Sequence, residues 1–361
     1  MKCFLACLSV VLSFAATGLA ADILVPQDYQ TIQEAIDASV DGDVILISDG
    51  VYSGPGNVNL NPLGKAITIR SQTDNPENCV IDCQKTSRGF VVETNETPET
   101  VIQGLSIRNG FADYMGKTGG GIRCNNASPS IVNCIFSGCE TSTEDYPAGQ
   151  GGAICFQGCE TTIDDCVFSG CFADYSGGAI NVDRSTITLR NCVFEGNQVS
   201  EGGGAVSAKR STVYIDESAF SDNSSMGGYG GAVELNHTTA FITSCVFSDN
   251  HAVIGGAISN TFSTTVVGGE ADKFNVFQRN TAAEGADIYT TGSEVPVDAR
   301  FNDFSTFPGS DYSFEFAENI VFTGSQFQGE SIEQDVYVSP VGDNSNSGIQ
   351  QNQPFRTIQY A

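Results

Sequence analysis

A short motif that recurs along the chain limits its possible folds more than any other feature of the sequence. A Gly-Gly element, followed by a small and an apolar residue, begins at Gly119, Gly151, Gly177, Gly203, Gly230 and Gly255. An aromatic element follows each of them, at Phe136, Phe168, Phe194, Phe220, Phe247 and Phe277. The first five Gly-to-Phe offsets are 17 residues each, and the sixth is 22. Fixed spacing inside a unit with variable length outside it is typical of stacked structural repeats.

Each unit contains three short runs in which apolar and polar residues alternate. In residues 175–197 the apolar pairs are Ile180/Val182, Ile187/Leu189 and Cys192/Phe194. Alternation with a period of two predicts β-strands. A three-residue strand buries little by itself, but it gains a parallel ladder when its equivalents stack about 4.8 Å above and below it. The sequence therefore predicts an all-β fold, a parallel β-helix solenoid with three strands in each coil.

The repeat assigns side chains to columns that run along the solenoid. One predicted inward column contains Ile122, Ile154, Ile180, Val206, Val233 and Ile258. A second contains Ile131, Ile163, Leu189, Ile215 and Ile242. The six Phe residues of the motif should form a ladder of offset-stacked rings. These columns predict one continuous hydrophobic core.

Cysteines occupy some of the predicted columns. Of 13 Cys, Cys3 and Cys7 lie in the first 20 residues, which leaves eleven. Four of these stand two residues before a Phe and are predicted to be small buried fillers rather than metal ligands, because they form a line and do not converge on a point: Cys134, Cys166, Cys192 and Cys245. Cys139 and Cys171 stand where later units have Asn197, Asn223, Asn250 and Asn280. Disulfides Cys139–Cys171 and Cys155–Cys159 are open alternatives, since export would permit them.

The ends of the chain have a different pattern from the repeats. Residues 1–20 have one Lys, an apolar run and small residues before Ala21, which is typical of a secretory signal peptide. No later segment reaches the roughly 20 apolar residues that span a membrane. We therefore expect a secreted or cell-surface protein that no helix of its own anchors.

A capping segment is predicted before the repeats and again after them. Residues 21–60 should contain a short amphipathic helix from near Thr31, which covers the open end of the core, and first strands such as Val44–Ile47. The β-helix should then occupy residues 61–330. Residues 331–361 repeat the cap pattern, with TIQYA matching TIQEA. We interpret them as the start of a second β-helix module in a longer chain; a vestigial cap is the alternative.

The composition excludes some classes of partner. The 361 residues include 43 Asp and Glu against 16 Lys and Arg, which gives a formal net charge of −27. Phosphate backbones are bound by clustered Lys and Arg, so we expect neither nucleic acid nor an anionic membrane as a partner. The excess of carboxylates is compatible with Ca²⁺ binding, and no other cofactor is expected.

Several motifs resemble known families. The cap pattern TIQEAID…GD.I.I..G.Y resembles the start of right-handed parallel β-helix proteins of the pectate-lyase-like group. The GGAI and F..N pairs are similar to the repeats of chlamydial polymorphic outer membrane proteins and related bacterial surface proteins, and VSPVGDNSNSG…PFRTIQ resembles caps of bacterial secreted β-helix modules. The resemblance covers nearly all of the mature chain. It implies a right-handed β-helix and says little about function, because this fold carries many activities.

The enzymes of this superfamily suggest active-site patterns to search for. Lyases use Ca²⁺ on carboxylates with an Arg or Lys base, galacturonases use clustered Asp with a His and Arg-x-Lys, and pectin esterases use paired Asp with a Gln and an Arg. The sequence has two His, at 237 and 251, and neither Gly-His-Gly nor Arg-Ile-Lys. The pair Asp164–Asp165 falls at a bend, where outward acids are expected. No catalytic residues are assigned.

Basic residues nevertheless form one predicted column. Seven residues after successive Gly starts stand Asn126, Gly158, Arg184, Arg210 and His237, and Lys209 adjoins Arg210. We interpret Arg184, Lys209, Arg210 and His237 as a candidate anion-binding strip for an acidic glycan, or as the source of a lyase base. The alternative is surface charge balanced by neighbours such as Asp183 and Glu234. Asp164, Arg190 and Asp216 share another column, in which salt bridges would stack.

Tyrosines in the variable loops are the second candidate binding feature. Tyr114, Tyr146, Tyr175 and Tyr229 lie between a Phe and the next Gly pair, and these loops stack on one side of the coil. They could form an aromatic strip for a partner, or pack on their own coil. The leading hypothesis is a non-enzymatic secreted or cell-surface module for adhesion or for binding a glycan or partner. A Ca²⁺-dependent lyase of acidic polysaccharides is the alternative; it requires three acids and a base in one groove, and the assigned columns show no such cluster.

Overall fold

The structure is a computed structural model of the chain. It describes residues 20–113, 116, 118–141, 149–268, 274–292, 297–299 and 302–306, together with short strands at 320–321, 326–327, 330–331 and 337–338. Within this part of the chain the strands form sheets of 13, 12, 8 and 5 strands, which we call sheets A, B, C and D. In sheets A to C, strands that are adjacent in a sheet pair in parallel and come from successive coils, as the repeat predicts, except for the antiparallel pairs at the C-terminal ends of sheets A and B.

Sheet A contains the strands Asp22–Val25, Val44–Ile47, Thr68–Ser71, Val101–Gln103, Ser130–Val132, Glu160–Asp164, Thr186–Arg190, Thr212–Asp216, Thr239–Thr243, Thr264–Val267, Val297–Asp298, Ile320–Val321 and Tyr337–Val338. Sheet B contains Gly50–Tyr52, Cys79–Asp82, Ser106–Arg108, Ile135–Ser137, Val167–Ser169, Val193–Glu195, Ala219–Ser221, Val246–Ser248, Val276–Gln278, Asp303–Thr306, Gln326–Phe327 and Glu330–Ser331. Sheet C contains Phe90–Val92, Ile122–Asn125, Ile154–Gln157, Ile180–Asp183, Val206–Lys209, Val233–Asn236, Ile258–Thr261 and Ile288–Thr291. Sheet D contains Phe111–Ala112, Glu140–Thr141, Phe172–Ala173, Gln198–Val199 and Ser224–Ser225.

The predicted columns are confirmed by the strand register. Ile154 pairs with Ile180, and Ile180 with Val206, in parallel ladders of sheet C. Ile163 lies over Leu189 in sheet A in the same way. In sheet B the rings of Phe168 and Phe194 stack with centroids 4.8 Å apart and an interplanar angle of 6°. The side chains of all these residues are buried, so the three inward columns form the core.

The sequence predicts three strands in each coil. In part of the solenoid the structure has a fourth, short strand in each coil. Sheet D is built from two-residue strands that follow the Phe elements, in five successive coils from Phe111–Ala112 to Ser224–Ser225. From the sequence these segments are predicted to belong to the variable loops. Their alternation is too short to be detected as a strand, since only the stacking of neighbouring coils gives a two-residue segment its ladder.

Columns of small polar residues fill the bends of the solenoid. The predicted Asn column is confirmed: Asn197, Asn223 and Asn250 are fully buried, and each backbone N–H in the series from Cys171 to Asn250 donates to the side-chain oxygen of the next coil at 3.0–3.1 Å. The structure shows a similar arrangement at another bend, where Ser185 N donates to Ser211 Oγ at 3.2 Å. Side chains therefore satisfy backbone groups where the ladders turn.

The two candidate disulfides are wrong for this structure, because all eleven cysteines among the described residues are free thiols. Cys155 points outward from sheet C and accepts a hydrogen bond from Asn181, whereas Cys159 lies in the next bend with its thiol directed at the carbonyl of Cys124. Cys139 and Cys171 belong to one column, as predicted, and each thiol lies near a backbone carbonyl. Burial raises the pKa of Cys192 and Cys245 to about 12, so these thiols stay protonated and act as the predicted fillers.

A helix covers the beginning of the core, as predicted. Helix α1 runs from Ile32 to Ala38 and buries Ile32, Ala35 and Ile36. Thr31 is its N-cap, and the side chain of Glu34 accepts from the Thr31 backbone in return. After α1, Asp43 accepts from the N–H groups of Ala21 and Val40, which fixes the first strand of sheet A beside the cap.

Other predictions about the ends lie largely outside the described residues. Residues 1–19 of the signal peptide are not described, nor are 339–361, which hold most of the predicted second cap. The described strand Tyr337–Val338 pairs antiparallel with Ile320–Val321. In the described part of the chain, no helix is long and apolar enough to cross a membrane.

Candidate functional site

The basic column lies in the bend that follows each strand of sheet C. Arg184, Arg210 and His237 have φ values of 50°, 52° and 50°, in the left-handed region, like Asn126 and Gly158 of the same column. Residues other than Gly, Asn, Asp and His are uncommon in this conformation, so the two arginines are the unusual members of the column. The bend is held by the ladder, since Arg184 N donates to Lys209 O at 3.1 Å and Arg210 N to Asn236 O at 3.0 Å. The structure thus places these three side chains in successive coils.

One carboxylate pairs with both arginines. Asp183, whose side chain is 19% exposed, lies 3.0 Å from Arg184 Nη1 and 3.0 Å from Arg210 Nη2. For these two arginines the structure thus shows the pairing with a neighbouring acid that is expected if the basic column is only balanced surface charge. Each guanidinium has five N–H donors, so sharing one carboxylate leaves both with further donors for a ligand.

Lys209 and His237 have different surroundings. Lys209 is beside Asp183 in the register of sheet C, but it forms none of the salt bridges found among the described residues. His237 Nδ1 lies 2.7 Å from Asn236 Oδ1, and the ring stacks on Phe262 with centroids 5.0 Å apart. Arg184, Arg210 and His237 line one open groove of about 740 Å³ together with hydroxyl groups such as those of Ser185 and Ser211. We call this surface the basic groove.

A second, more enclosed cavity of about 410 Å³ lies on the other side of Arg210. Its floor is the outer face of sheet C, where Asn181, Asp183, Ser207, Lys209, Glu234 and Asn236 point away from the core. Loops that follow sheet D cover it, with Tyr175, Glu201, Gly202 and Tyr229 at its lining. Tyr175 is 42% exposed and Tyr229 43%. We call this cavity the tyrosine cleft.

The loops that cover the cleft are held by backbone hydrogen bonds between coils. Gly202 N donates to Tyr175 O at 2.9 Å, and Tyr229 N donates to Glu201 O at 3.0 Å. The two tyrosines therefore belong to coils separated by one intervening coil, a distance of about 10 Å along the solenoid at about 4.8 Å per coil. A Cβ atom on Gly202 would lie 2.7 Å from a carboxylate oxygen of Glu234. Glycine at this position therefore leaves room for Glu234 beneath the loop.

Glu234 is the titratable group most altered by the cleft. Ser207 Oγ donates to its Oε2 at 2.7 Å. Burial raises the pKa of Glu234 above its ordinary value, and the hydrogen bonds from Ser207 and from the Gly203 backbone, with the charge of Lys209, partly oppose that shift. A carboxyl group with a raised pKa in a cleft is a common property of functional sites.

The structure brings together side chains that the sequence analysis assigned to two separate candidate features, the basic column and the loop tyrosines. Lys209, Arg210, Tyr175 and Tyr229 line one cleft, whereas Arg184 and His237 face the adjoining groove. Tyr146 and Tyr114 lie outside the described residues. Sequence reasoning treated Glu234 only as a balancing charge and did not include Glu201, Asn181 or Asn236. The register of sheet C could have found Glu234 and Asn236, because they follow Ser207 and Lys209 by one coil.

Three acids and a base, which the assigned columns do not bring together, line one cavity of the structure, but without the convergence that a lyase requires. Asp183, Glu201 and Glu234 line the same cleft as Lys209 and Arg210. The missing step was the fold of the loop that carries Glu201 over sheet C. In the described part of the chain, however, no group of three or more His, Cys, Asp or Glu side chains is arranged to hold a metal ion. The acids surround the cavity without converging on a point.

The fold and the repeat define a class of protein. A model of right-handed β-helix regions matches the chain in two overlapping stretches, residues 65–247 and 120–304. The chain belongs to this family. No curated protein sequence matches it.

Two solved structures match the chain at low identity and with low TM-scores. One is a mannuronic acid specific polysaccharide family 6 lyase from human gut microbiota, with 14% identity and a TM-score of 0.41, covering 85% of this chain and 79% of the lyase. The other is the PL6 family alginate lyase AlyGC, with 12% identity and a TM-score of 0.27, covering 84% of this chain and 54% of the lyase. At this level of similarity no residue role is transferred from either structure.

Proposed function

We propose that the protein is a secreted or cell-surface β-helix module that binds an acidic glycan, without catalysis, across the tyrosine cleft and the basic groove. The observation that carries the proposal is the composition of the cleft. Two exposed tyrosines line it, and amide, carboxylate and ammonium groups from successive coils form its floor. Sites for small polar ligands combine aromatic surface with a few placed polar groups that fix orientation.

The basic side chains of this surface, Arg184, Lys209 and Arg210, offer contacts for an anionic ligand beside the carboxylates of Asp183, Glu201 and Glu234. Lys209 forms no salt bridge with any of the described residues, and Arg184 and Arg210 share the carboxylate of Asp183. Hydrogen bonds from Arg or Lys to a carboxylate or sulfate are about twice as strong as those between neutral groups. The chain as a whole has a formal net charge of −27, which disfavours the approach of an anionic ligand elsewhere on the surface. Binding should therefore be confined to this surface and should weaken as salt is added.

Binding of defined oligosaccharides tests this proposal, and the chain offers matched controls. Tyr214 is 42% exposed, like Tyr175, but lies on the outer face of sheet A, and the side chain of Arg190 is 53% exposed there, against 47% for Arg210. In calorimetric titrations with uronate oligosaccharides, Tyr229→Ala and Arg210→Ala should weaken binding about tenfold, the equivalent of about 1.4 kcal/mol. Tyr214→Ala and Arg190→Ala should leave the affinity unchanged. Equal losses in both sets, or no binding by the wild type, would refute the proposal.

A lyase of acidic polysaccharides is the second candidate, because three carboxylates and two basic groups line one cavity. In β-elimination a base removes the proton next to the uronate carboxylate, the electrons of that C–H bond form a C=C bond as the glycosidic C–O bond breaks, and the leaving oxygen takes up a proton from an acid or from water. A base must lie within hydrogen-bond reach of that proton. A screen of acidic polysaccharides with and without Ca²⁺, which follows the absorbance of unsaturated product, distinguishes the two candidates. Turnover that is abolished in Lys209→Ala, Arg184→Ala or Arg210→Ala would establish the lyase; binding without turnover supports the module.

A further inference from the structure

Glu234 occupies a position in the tyrosine cleft where its charge should matter to a ligand. It extends from the strand Val233–Asn236 of sheet C on the outer face, and its carboxyl group lies beneath Gly202. In the preceding coil the residue at the same register is Ser207, which donates the hydrogen bond to Oε2, and in the following coil it is Ser259. Ser259 is fully buried, and its Oγ has no hydrogen-bond partner among the described residues.

The charged groups around Glu234 come from three elements. The strand Val206–Lys209 contributes Lys209, which attracts its negative charge, and the loop above contributes Glu201, which repels it. The strand Ile180–Asp183 contributes Asp183, which is already paired with two arginines, and Arg210 follows Lys209 in the bend. Tyr229 covers the cleft from the loop of Glu234's own coil. Glu201 and Glu234 therefore share the cleft with the ammonium group of Lys209, and in the described part of the chain none of the three belongs to a salt bridge.

An anionic sugar in this cleft would have Lys209 as its cationic contact and Glu234 beside it. A charged Glu234 competes for Lys209 and repels the ligand, whereas a neutral Glu234 does neither and can donate a hydrogen bond from its protonated oxygen. Burial already favours the neutral form, since it raises the pKa of Glu234. The approach of a second negative charge favours that form further, so ligand and proton should bind together.

We propose that glycan binding in the tyrosine cleft is proton-dependent, with Glu234 as the group that takes up the proton. This inference rests on the proposed function and adds a regulatory property to the same site. The sign follows from linkage: because the bound state holds the proton more tightly than the free state, affinity rises as pH falls through the pKa of Glu234. Binding should therefore strengthen on acidification and weaken as the pH rises.

The test is the pH dependence of affinity for a uronate oligosaccharide, measured with the full chain from about pH 8 to about pH 5, above the range in which free carboxylic acids titrate. For the wild type we expect the affinity to increase about tenfold on acidification, since a one-unit shift of one pKa on binding corresponds to a tenfold change. Glu234→Gln should bind at neutral pH as tightly as the wild type does at low pH, and its affinity should not change with pH. Ser207→Ala removes a hydrogen bond that favours the charged form, so the midpoint should move to higher pH.

Two controls separate this effect from other titrations. His251→Gln changes a side chain that lines neither the tyrosine cleft nor the basic groove, and it should retain the wild-type dependence. Glu195→Gln alters an exposed carboxylate on sheet B and should also retain it. If Glu234→Gln keeps the dependence, or if the wild type binds with the same affinity at every pH, the inference is overturned while glycan binding stands. If neither the wild type nor Glu234→Gln binds at any pH, both the inference and the proposed function are wrong.

Discussion

One bend of the solenoid has a cysteine thiol in the earlier coils and an asparagine amide in the later coils. Comparing the two shows which properties of the side chain this bend requires. The bend column, which follows the Phe ladder, contains Cys139, Cys171, Asn197, Asn223, Asn250 and Asn280. In the later coils Asn223 Nδ2 donates to Phe194 O at 2.9 Å and to Asn250 Oδ1 at 3.0 Å, while its own Oδ1 accepts from Asn197 N. Each amide therefore links three successive coils.

In the earlier coils a thiol takes the place of the amide. Cys171 Sγ lies 3.8 Å from Phe136 O, and Cys139 Sγ lies 3.6 Å from Ile107 O. These carbonyls correspond to those that the Asn side chains reach at 2.9–3.0 Å. A thiol is a weak donor with a single hydrogen, and sulfur is a weak acceptor. We call the coils with Cys139 and Cys171 the Cys half and the coils with Asn197 to Asn280 the Asn half. The backbone follows the same course in both halves, so the bend requires only a small side chain. The amide adds hydrogen bonds that the thiol does not replace.

The largest expected effect tests whether the two halves differ outside this column. Phe168 in the Cys half and Phe247 in the Asn half are both fully buried and stacked in the same ladder. Replacing either with Ala should lower the free energy of unfolding by about 3–5 kcal/mol, through lost burial and the cavity left behind. Urea unfolding of the two variants should give equal losses. A much smaller loss for Phe168→Ala would mean that the Cys half is less tightly packed throughout, and the comparison would fail.

The next prediction compares how much the amide and the thiol at this bend contribute to the free energy of unfolding. Asn223→Ala should cost about 2–4 kcal/mol, because it leaves the Asn197 N–H and the Phe194 carbonyl buried without their partner. Cys171→Ala is the matched variant in the other half and should cost about 1 kcal/mol, a typical value for a point substitution. The measurement is again the free energy of unfolding. Equal losses would show that the Asn ladder adds no stability beyond filling the bend.

A gain should follow when the Asn column is extended into the Cys half. Cys171→Asn places an amide where Phe136 O can accept from Nδ2 and where the Cys139 N–H can donate to Oδ1. We expect an increase of about 1 kcal/mol in the free energy of unfolding, the typical net value of a hydrogen bond. Cys171→Ser is the control for size and polarity. If the Asn variant is less stable than the Ser variant, the thiol half has no room for the amide ladder.

The columns were predictable from the sequence, and the tyrosine cleft was not, for a physical reason. Ile154, Phe168 and Asn223 could be placed because parallel stacking repeats one backbone position in every coil, so spacing alone gives the neighbours. The same argument placed Arg184 above Arg210. Spacing could not show how the loop with Glu201 and Gly202 closes over Glu234. That closure depends on loops of unequal length, and on Gly202 having no side chain.

The smallest expected effect concerns a column that repeats as regularly as the others but lies in water. Asp164, Arg190 and Asp216 are neighbours in the register of sheet A, as the sequence predicted, and Arg190 Nη1 lies 3.6 Å from Asp164 Oδ1. The Arg190 side chain is 53% exposed, so solvent and salt screen this pair. Arg190→Ala should therefore change the free energy of unfolding by less than about 0.5 kcal/mol, and the change should decrease further in high salt. A stacked column of exposed charges would then contribute little to the free energy of unfolding. By contrast, the repeated hydrogen bonds of the buried Asn column would contribute more, because the bend excludes water from them. A loss from Arg190→Ala as large as that from Asn223→Ala would contradict this distinction.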